Sequence, residues 1–259
     1  MCRAIDVRQA VLAENDMLAG ALREELAAHG TTAVNLLSSP GSGKTALLEP
    51  VLTATAARGV PAAALTADLA TDHDAVRLAR SGAPVKQVLT GGLCHLEASH
   101  LRSHLDGWPP PGTRVLYVEN VGNLVCPAAF DLGETLRVTL MSVTEGEDKP
   151  LKYPLAFGLA HLVVLTKTDL EEAAAFDRAA FTAHVHRVNP GVPILPTSAR
   201  TGEGVGTLVD HVLAASDGAT LHRPALQSAP ATADLPKTCT PGPGRHRRPD
   251  PDDATAPRP

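Results

Sequence analysis

The segment Ser38-Ser39-Pro40-Gly41-Ser42-Gly43-Lys44-Thr45 constrains this chain more than any other. It stands between the apolar run Val34-Asn35-Leu36-Leu37 and a stretch over 44–57 with helical spacing. A strand, a tight glycine-bearing turn and a helix, in that order, aim backbone N–H groups inward at the positive end of a helix dipole. That arrangement suits phosphate. Pro40, Gly41, Ser42 and Gly43 supply the turn, Lys44 can reach β/γ-phosphates, and the Thr45 hydroxyl is a Mg²⁺ ligand in such a loop. Ser38 stands where the usual pattern has its first glycine. A chance Gly/Ser turn is the plain alternative, and the placement of Gly-Lys-Thr at the strand-to-helix junction counts against it.

Apolar runs recur at 33–38, 62–66, 85–89, 115–118, 136–143, 162–165 and 193–195, separated by helical stretches near 44–57, 72–80, 96–105, 172–187 and 204–214. Continuous apolar strands alternating with helices predict a mostly parallel sheet covered on both faces. The expected fold class is therefore α/β, a three-layer P-loop NTPase fold over 30–215. An amphipathic helix over 5–28 precedes it, in an N-terminal segment 1–29. Nine of the 22 prolines lie in 216–259, which has no apolar periodicity and reads as a disordered tail.

Composition removes several function classes. Lys plus Arg total 23 against 28 Asp plus Glu, a formal charge of −5, with only one Trp, two Tyr and four Phe. Such a chain lacks both the phosphate-attracting excess and the stacking platforms of a nucleic-acid binder. No run approaches the roughly 18 apolar residues of a membrane span. The start, Met-Cys-Arg-Ala-Ile-Asp, has no basic flank and no apolar run, so a cytoplasmic protein is expected. Cysteines at 2, 94, 126 and 239 are too few and scattered for a disulfide scaffold.

Thr166-Lys167-Thr168-Asp169 resembles the Asn-Lys-x-Asp guanine signature of P-loop GTPases, with Thr for Asn. A carboxylate at Asp169 accepts two hydrogen bonds from the guanine edge, a donor pair adenine lacks. Lys167 would lie along the base. Pro196-Thr197-Ser198-Ala199-Arg200 resembles the Ser-Ala-Lys segment that closes such a pocket, putting Ser198 and Ala199 beside the base. The plain alternative is that Asp169 caps a helix.

Asp68 and Glu119 end the second and fourth apolar runs, at the sheet edge where ligands bind. Glu119-Asn120-Val121-Gly122 resembles the Asp-x-x-Gly switch of GTPases. Asp68 is therefore read as a Mg²⁺ or switch residue, and Glu119 as an outer Mg²⁺ or water-positioning group; with Lys44 they form the expected catalytic set. Asp72 and Asp74 read as ordinary helix-start carboxylates.

Cys94-His95 follows the third run and Cys126 follows the switch segment. A thiolate with an imidazole suits Ni²⁺ or Zn²⁺ and suits Mg²⁺ badly. His100 and His104 add a pair at helical spacing. The plain readings are buried apolar cysteines and a solvated helix face.

Together, Ser38–Thr45, Cys94-His95-Leu96, Glu119–Pro127 and Ser142–Pro154 resemble the HypB family of hydrogenase nickel-incorporation GTPases. The resemblance covers about 5–215. It implies a GTP-dependent homodimer that delivers nickel to the large subunit of [NiFe]-hydrogenase, working with a HypA-like metallochaperone. It also implies that Cys94, His95 and Cys126 bind Ni²⁺ or Zn²⁺ at the dimer interface. Only Cys2 stands near the start and the 11 histidines form no run, so an N-terminal nickel motif and a storage role are not expected. Lys149 and Lys152 read as a solvated loop, with contact to partner phosphates as the alternative. Rival readings are a urease nickel GTPase, whose usual motif is Cys-Pro-His, an ATP-dependent P-loop enzyme, and a metal-sequestering module with a vestigial nucleotide site.

Overall fold

The computed structural model describes residues 2–68 and 73–227, with side chains from residue 9 onward. Among the described residues seven strands form one sheet: β1 (Thr32–Ser38), β2 (Ala62–Asp68), β3 (Val85–Leu89), β4 (Val115–Glu119), β5 (Leu136–Ser142), β6 (Leu162–Thr166) and β7 (Ile194–Pro196). Their order is β3-β2-β4-β1-β5-β6-β7 and every pairing is parallel. The apolar runs thus become the strands of a fully parallel sheet. β1 lies at its centre, with Leu36 opposite Glu119 on β4 and Ser38 opposite Leu140 on β5. That register sends the chain from β1 into its turn beside the ends of β2 and β4, so the glycine loop and the two terminal carboxylates share one edge.

Side chains alternate between two covered faces, as a buried parallel strand requires. Val34 and Leu36 pack with Leu47, Val51 and Leu52 of α2 (Lys44–Ala57) and Leu208 and Val212 of α8 (Val205–Ser216). Leu78 of α3 (His73–Ala79) joins them. Ala33, Leu116 and Val118 face the other way, against Leu22 and Leu26 of α1 (Cys2–Ala28) and Leu101 of α4 (Ala98–Leu105). Phe157 of α6 (Pro154–Gly158) and Phe181 and Val185 of α7 (Arg178–Val188) cover Met141, Val163 and Leu165. Burying a Leu or Phe side chain stabilises by about 1.5–3 kcal/mol, so these three clusters dominate the folding free energy.

Three differences from the sequence reading have local causes. α7 begins at Arg178 instead of 172, because Asp177 accepts the Ala180 N–H at 2.9 Å as an N-cap and Ala175 takes a positive φ of 48°. Between β5 and β6 the chain makes a 3₁₀ turn (Val143–Glu145), α5 (Lys149–Lys152) and α6, none of which has a long enough period to read. The turn is closed by a capping box between Ser142 and Glu145. Finally, residues 217–227 stay on the domain. His222 Nε2 meets Asn189 Oδ1 at 2.8 Å, and the Leu226 N–H donates to Gly158 O at 3.0 Å. The composition break at 216 marks the end of α8, and the rest of the expected tail, 228–259, lies outside the described residues. Among the described residues no helix is long and apolar enough to cross a membrane.

Candidate nucleotide and metal site

A cleft of about 520 Å³ opens at the carboxyl ends of β1, β2 and β4. Pro40, Gly41, Ser42, Gly43, Lys44 and Thr45 line it, facing Asp68, Asp74, Glu119 and Lys167. Gly41 and Gly43 take φ of 75° and 91°, which points the loop N–H groups inward and leaves Gly43 as the residue before α2. Lys44 Nζ donates to Ser38 Oγ at 2.9 Å. The serine that replaces the usual glycine therefore holds the lysine along the loop. Burial pushes the Lys44 ammonium below its ordinary pKa, against the pull of Glu119, Asp74, Glu145 and Asp68.

The Thr45 hydroxyl donates to Glu119 Oε1 at 2.6 Å and the Thr66 hydroxyl to Glu119 Oε2 at 3.1 Å. Burial raises the Glu119 carboxyl above the usual range, opposed by Lys44 and Thr45. A hydroxyl and a buried carboxylate in contact, with Asp68 on the same cleft, form the hard oxygen set that fits Mg²⁺. Gly122 rests on the loop itself: a Cβ there would meet Pro40 Cα at 3.2 Å.

At the neighbouring end of β6, Thr166 donates to Ser42 O at 2.6 Å, with Met141 O at 3.3 Å. Lys167, at φ 59°, donates from Nζ to Gly41 O at 2.8 Å. Asp169 Oδ1 accepts from Ser198 Oγ at 2.6 Å and Oδ2 from Arg200 Nε at 2.7 Å, and both bonds hold its carboxyl below the usual range. Two oxygens fixed in this way present their remaining lone pairs as a unit. The turn behind them needs Gly204, at φ 71°, where a Cβ would lie 2.1 Å from Pro196 O.

Beyond Glu119 the chain reaches the sulfur cluster. Cys126 stands close enough to Cys94 that the neighbouring thiol, together with burial, raises the Cys94 thiol above its ordinary pKa. His95 Nδ1 is 3.6 Å from Cys94 Sγ, and its ring stacks on Phe130 at 4.0 Å. His95 Nε2 stands 3.4 Å from Glu97 Oε1 but without hydrogen-bond alignment, and it is buried without another partner. Among the described residues no three His, Cys, Asp or Glu side chains converge into a closed metal site.

A family model for the nucleotide-binding domain of CobW/HypB/UreG matches residues 32–196, which span the phosphate loop, both cysteine loops and Thr166–Asp169 and end just before Ser198 and Arg200. The hydrogenase maturation factor HypB of Azotobacter chroococcum is 46% identical over 204 residues, covering 79% of this chain and 67% of its own length. The chain is a member of the HypB family. The hydrogenase/urease maturation factor HypB of Helicobacter hepaticus is 36% identical over 214 residues, covering 81% of this chain and 87% of that one. The crystal structure of HypB from Helicobacter pylori in complex with nickel aligns at TM-score 0.75 and 33% identity, over 79% of this chain and 96% of that chain. The structure of a LAO/AO transport system kinase, at 17% identity and TM-score 0.51, shares the fold alone.

In this HypB chain the cleft gathers Pro40–Thr45, Asp68, Glu119 and Lys167, and Ser198 reaches Asp169. Asp74 heads α3 and also faces the cleft. His104 stands near Lys86, whose ammonium helps depress His104 after burial and which donates to His104 O at 2.6 Å. A cation so placed opposes a metal ion. Lys152 pairs with Asp148 in solvent, whereas Lys149 pairs with Glu145, which accepts from Ser42 Oγ at 2.6 Å. Asp72, Cys239 and the Cys2 side chain lie outside the described residues. Sequence reasoning missed Asn35, Asn120, Glu134, Arg137 and Glu145. The signal for one pair was present: an acid and a base three apart at the start of an apolar strand are affordable only as an ion pair.

Proposed function

We propose that this chain hydrolyses GTP and delivers nickel for maturation of a [NiFe]-hydrogenase, with metal affinity set by the state of the nucleotide. The observation that carries it is the shared origin of the two sites. Glu119, held to Thr45 in the phosphate cradle, begins the segment that ends at Cys126, beside Cys94. The names of the Azotobacter relative and of the nickel-bound Helicobacter structure support the cargo.

Lys44 sets the β/γ-phosphates against the loop N–H groups, and Asp169 with Ser198 and Ala199 selects guanine. Thr45, Asp68 and Glu119 hold Mg²⁺, which when bound neutralises charge on the phosphate oxygens. Glu119 orients the attacking water, and Asp68 responds to the γ-phosphate. Cys94, His95 and Cys126 hold nickel, with Zn²⁺ as a competing ion. One chain offers an unclosed set, and exposed Leu93 and Val125 flank the cysteines. Both features support a homodimer in which two copies share the metal. The chain then works in the cytoplasm with a HypA-like metallochaperone and the hydrogenase large subunit, and with neither nucleic acid nor membrane. A urease role is the second reading, favoured by the Helicobacter relative's name. Restoration of hydrogenase or urease activity in a deletion strain separates the two.

The deciding measurement is Ni²⁺ affinity of the purified protein with a GTP analogue and with GDP. The expected difference is about tenfold or more, which is about 1.4 kcal/mol. Equal affinities reject nucleotide control. Replacing Cys94 and Cys126 together removes tight stoichiometric Ni²⁺ binding, and undiminished binding in that variant rejects the ligands.

A further inference from the structure

We propose that Asn120 is a positioning residue that ties the nucleotide cleft to the backbone behind both halves of the Cys94–His95–Cys126 cluster. The proposal deepens the nickel-GTPase reading and rests on it. Asn120 follows Glu119 directly and is 1% exposed. Its Oδ1 accepts two backbone N–H groups, from Val121 at 2.9 Å and from Leu96 at 3.3 Å. Leu96 is the residue after His95, so this one oxygen fixes the first loop to the switch segment.

The other end of the same amide serves the second loop. Asn120 Nδ2 donates to Asn35 Oδ1 at 3.4 Å, and Asn35 Nδ2 donates to Glu134 Oε1 at 3.3 Å. Glu134 Oε1 also accepts Arg137 Nε at 2.6 Å. The guanidinium then donates to Ala128 O and Phe130 O, both at 3.0 Å. Those carbonyls belong to the segment just past Cys126, and the Phe130 ring is the one stacked on His95. The direction of the chain is not arbitrary. Backbone N–H groups at one end can only donate, and the Glu134 carboxylate at the other can only accept, so neither asparagine can turn over without losing partners.

All four side chains are buried, where a hydrogen bond left unmade is not replaced by water. Three links measure 3.3–3.4 Å, longer than the usual range of about 2.7–3.2 Å, so a small displacement of the switch segment breaks or tightens them. A shift of Glu119 on a change of phosphate number therefore reaches both cysteine loops through side chains, beyond simple chain continuity.

The test compares Ni²⁺ affinity with GTP analogue and with GDP, both at saturating nucleotide, so that altered nucleotide affinity drops out. In Asn120→Ala the ratio of the two affinities should fall to within about twofold of unity. Asn120→Asp keeps an oxygen toward Leu96 and Val121, and it should retain a larger ratio than Asn120→Ala. A folded Asn120→Ala protein with the parental ratio overturns the proposal while leaving nucleotide control standing. A parent with no ratio overturns both. A second measurement needs no variant: hydrogen exchange of the Leu96 amide, by NMR on the unsubstituted chain, should differ between the two nucleotide states by about tenfold, and equal protection overturns the link.

Discussion

Thr45 donates its hydroxyl to Glu119 Oε1 at 2.6 Å, joining the first residue pair of α2 to the last residue of β4. The two sit far apart in sequence and meet because β1 and β4 are adjacent parallel strands in matched register. Glu119 is thereby aimed at the phosphate cradle, with Thr66 holding its second oxygen.

Replacing Glu119 with Gln keeps the shape and removes the charge. Steady-state phosphate release should show kcat for GTP falling by about 10²-fold, the scale of a lost water-positioning or general-base group. GTP affinity should change by less than tenfold, because Lys44 and the loop N–H groups remain. A kcat within threefold of the parent would remove Glu119 from the chemistry.

The Asp169 carboxylate is oriented by Ser198 and Arg200. Asp169→Asn turns one acceptor into a donor facing the guanine donors. Competition binding should show the preference for GTP over ATP falling by about 10²-fold. Arg200 is exposed, so Arg200→Ala should alter the preference by less than about threefold.

Glu134 and Arg137 form an ion pair with both side chains less than a tenth exposed. Burial pushes the Glu134 carboxyl up, but Arg137 and backbone N–H groups outweigh it and hold it at about 2. Glu134→Ala leaves the guanidinium buried without its carboxylate. Urea unfolding should register a loss of about 3–5 kcal/mol. The double variant Glu134→Leu, Arg137→Met should recover part of that loss, because no unpaired charge remains. If the single change costs under 1 kcal/mol, the pair is not structural.

His161 Nδ1 accepts the Arg137 N–H at 3.0 Å, so its ring is needed in the neutral form. Burial lowers its pKa to about 4 from 6.5. The unfolded chain then binds the proton first as the pH drops. Stability tied to the neutral ring is complete above pH 6.5 and is lost progressively down to about pH 4. Glu134 adds a separate loss below about pH 4.5 as it is protonated on the way to about 2. His211 and His222, also lowered by burial, share the upper window. Thermal melts across pH 4–7 should fall in Tm toward acid, and His161→Asn, which keeps an acceptor for Arg137, should flatten that fall in part. A slope identical to the parent's would show that His161 does not carry it.

The strands and the phosphate loop were legible because their signals are local. Uninterrupted apolar runs need burial on two faces, and Gly-Lys-Thr after such a run needs a helix. The sheet edge where Asp68 and Glu119 end followed from the same logic, since parallel strands all deliver their carboxyl ends to one side. The short turns around Glu145 were not legible: each is one hydrogen-bonded ring, set by a capping side chain and too short for a period. Nor could Asn35 be read as anything but a polar interruption of β1.

The amino-acid order alone thus determined the layered parallel architecture, the phosphate loop, the two segments that resemble a guanine signature and the identity of the sulfur and imidazole groups. Those properties depend on residue type and near spacing. Tertiary structure alone decided that Ser38 braces Lys44, that Cys94 and Cys126 are near neighbours, and that Asn120 reaches Asn35 and Leu96. Such contacts join residues brought together only when strands order themselves as β4-β1-β5, an outcome set by the packing of whole faces and not by any single segment.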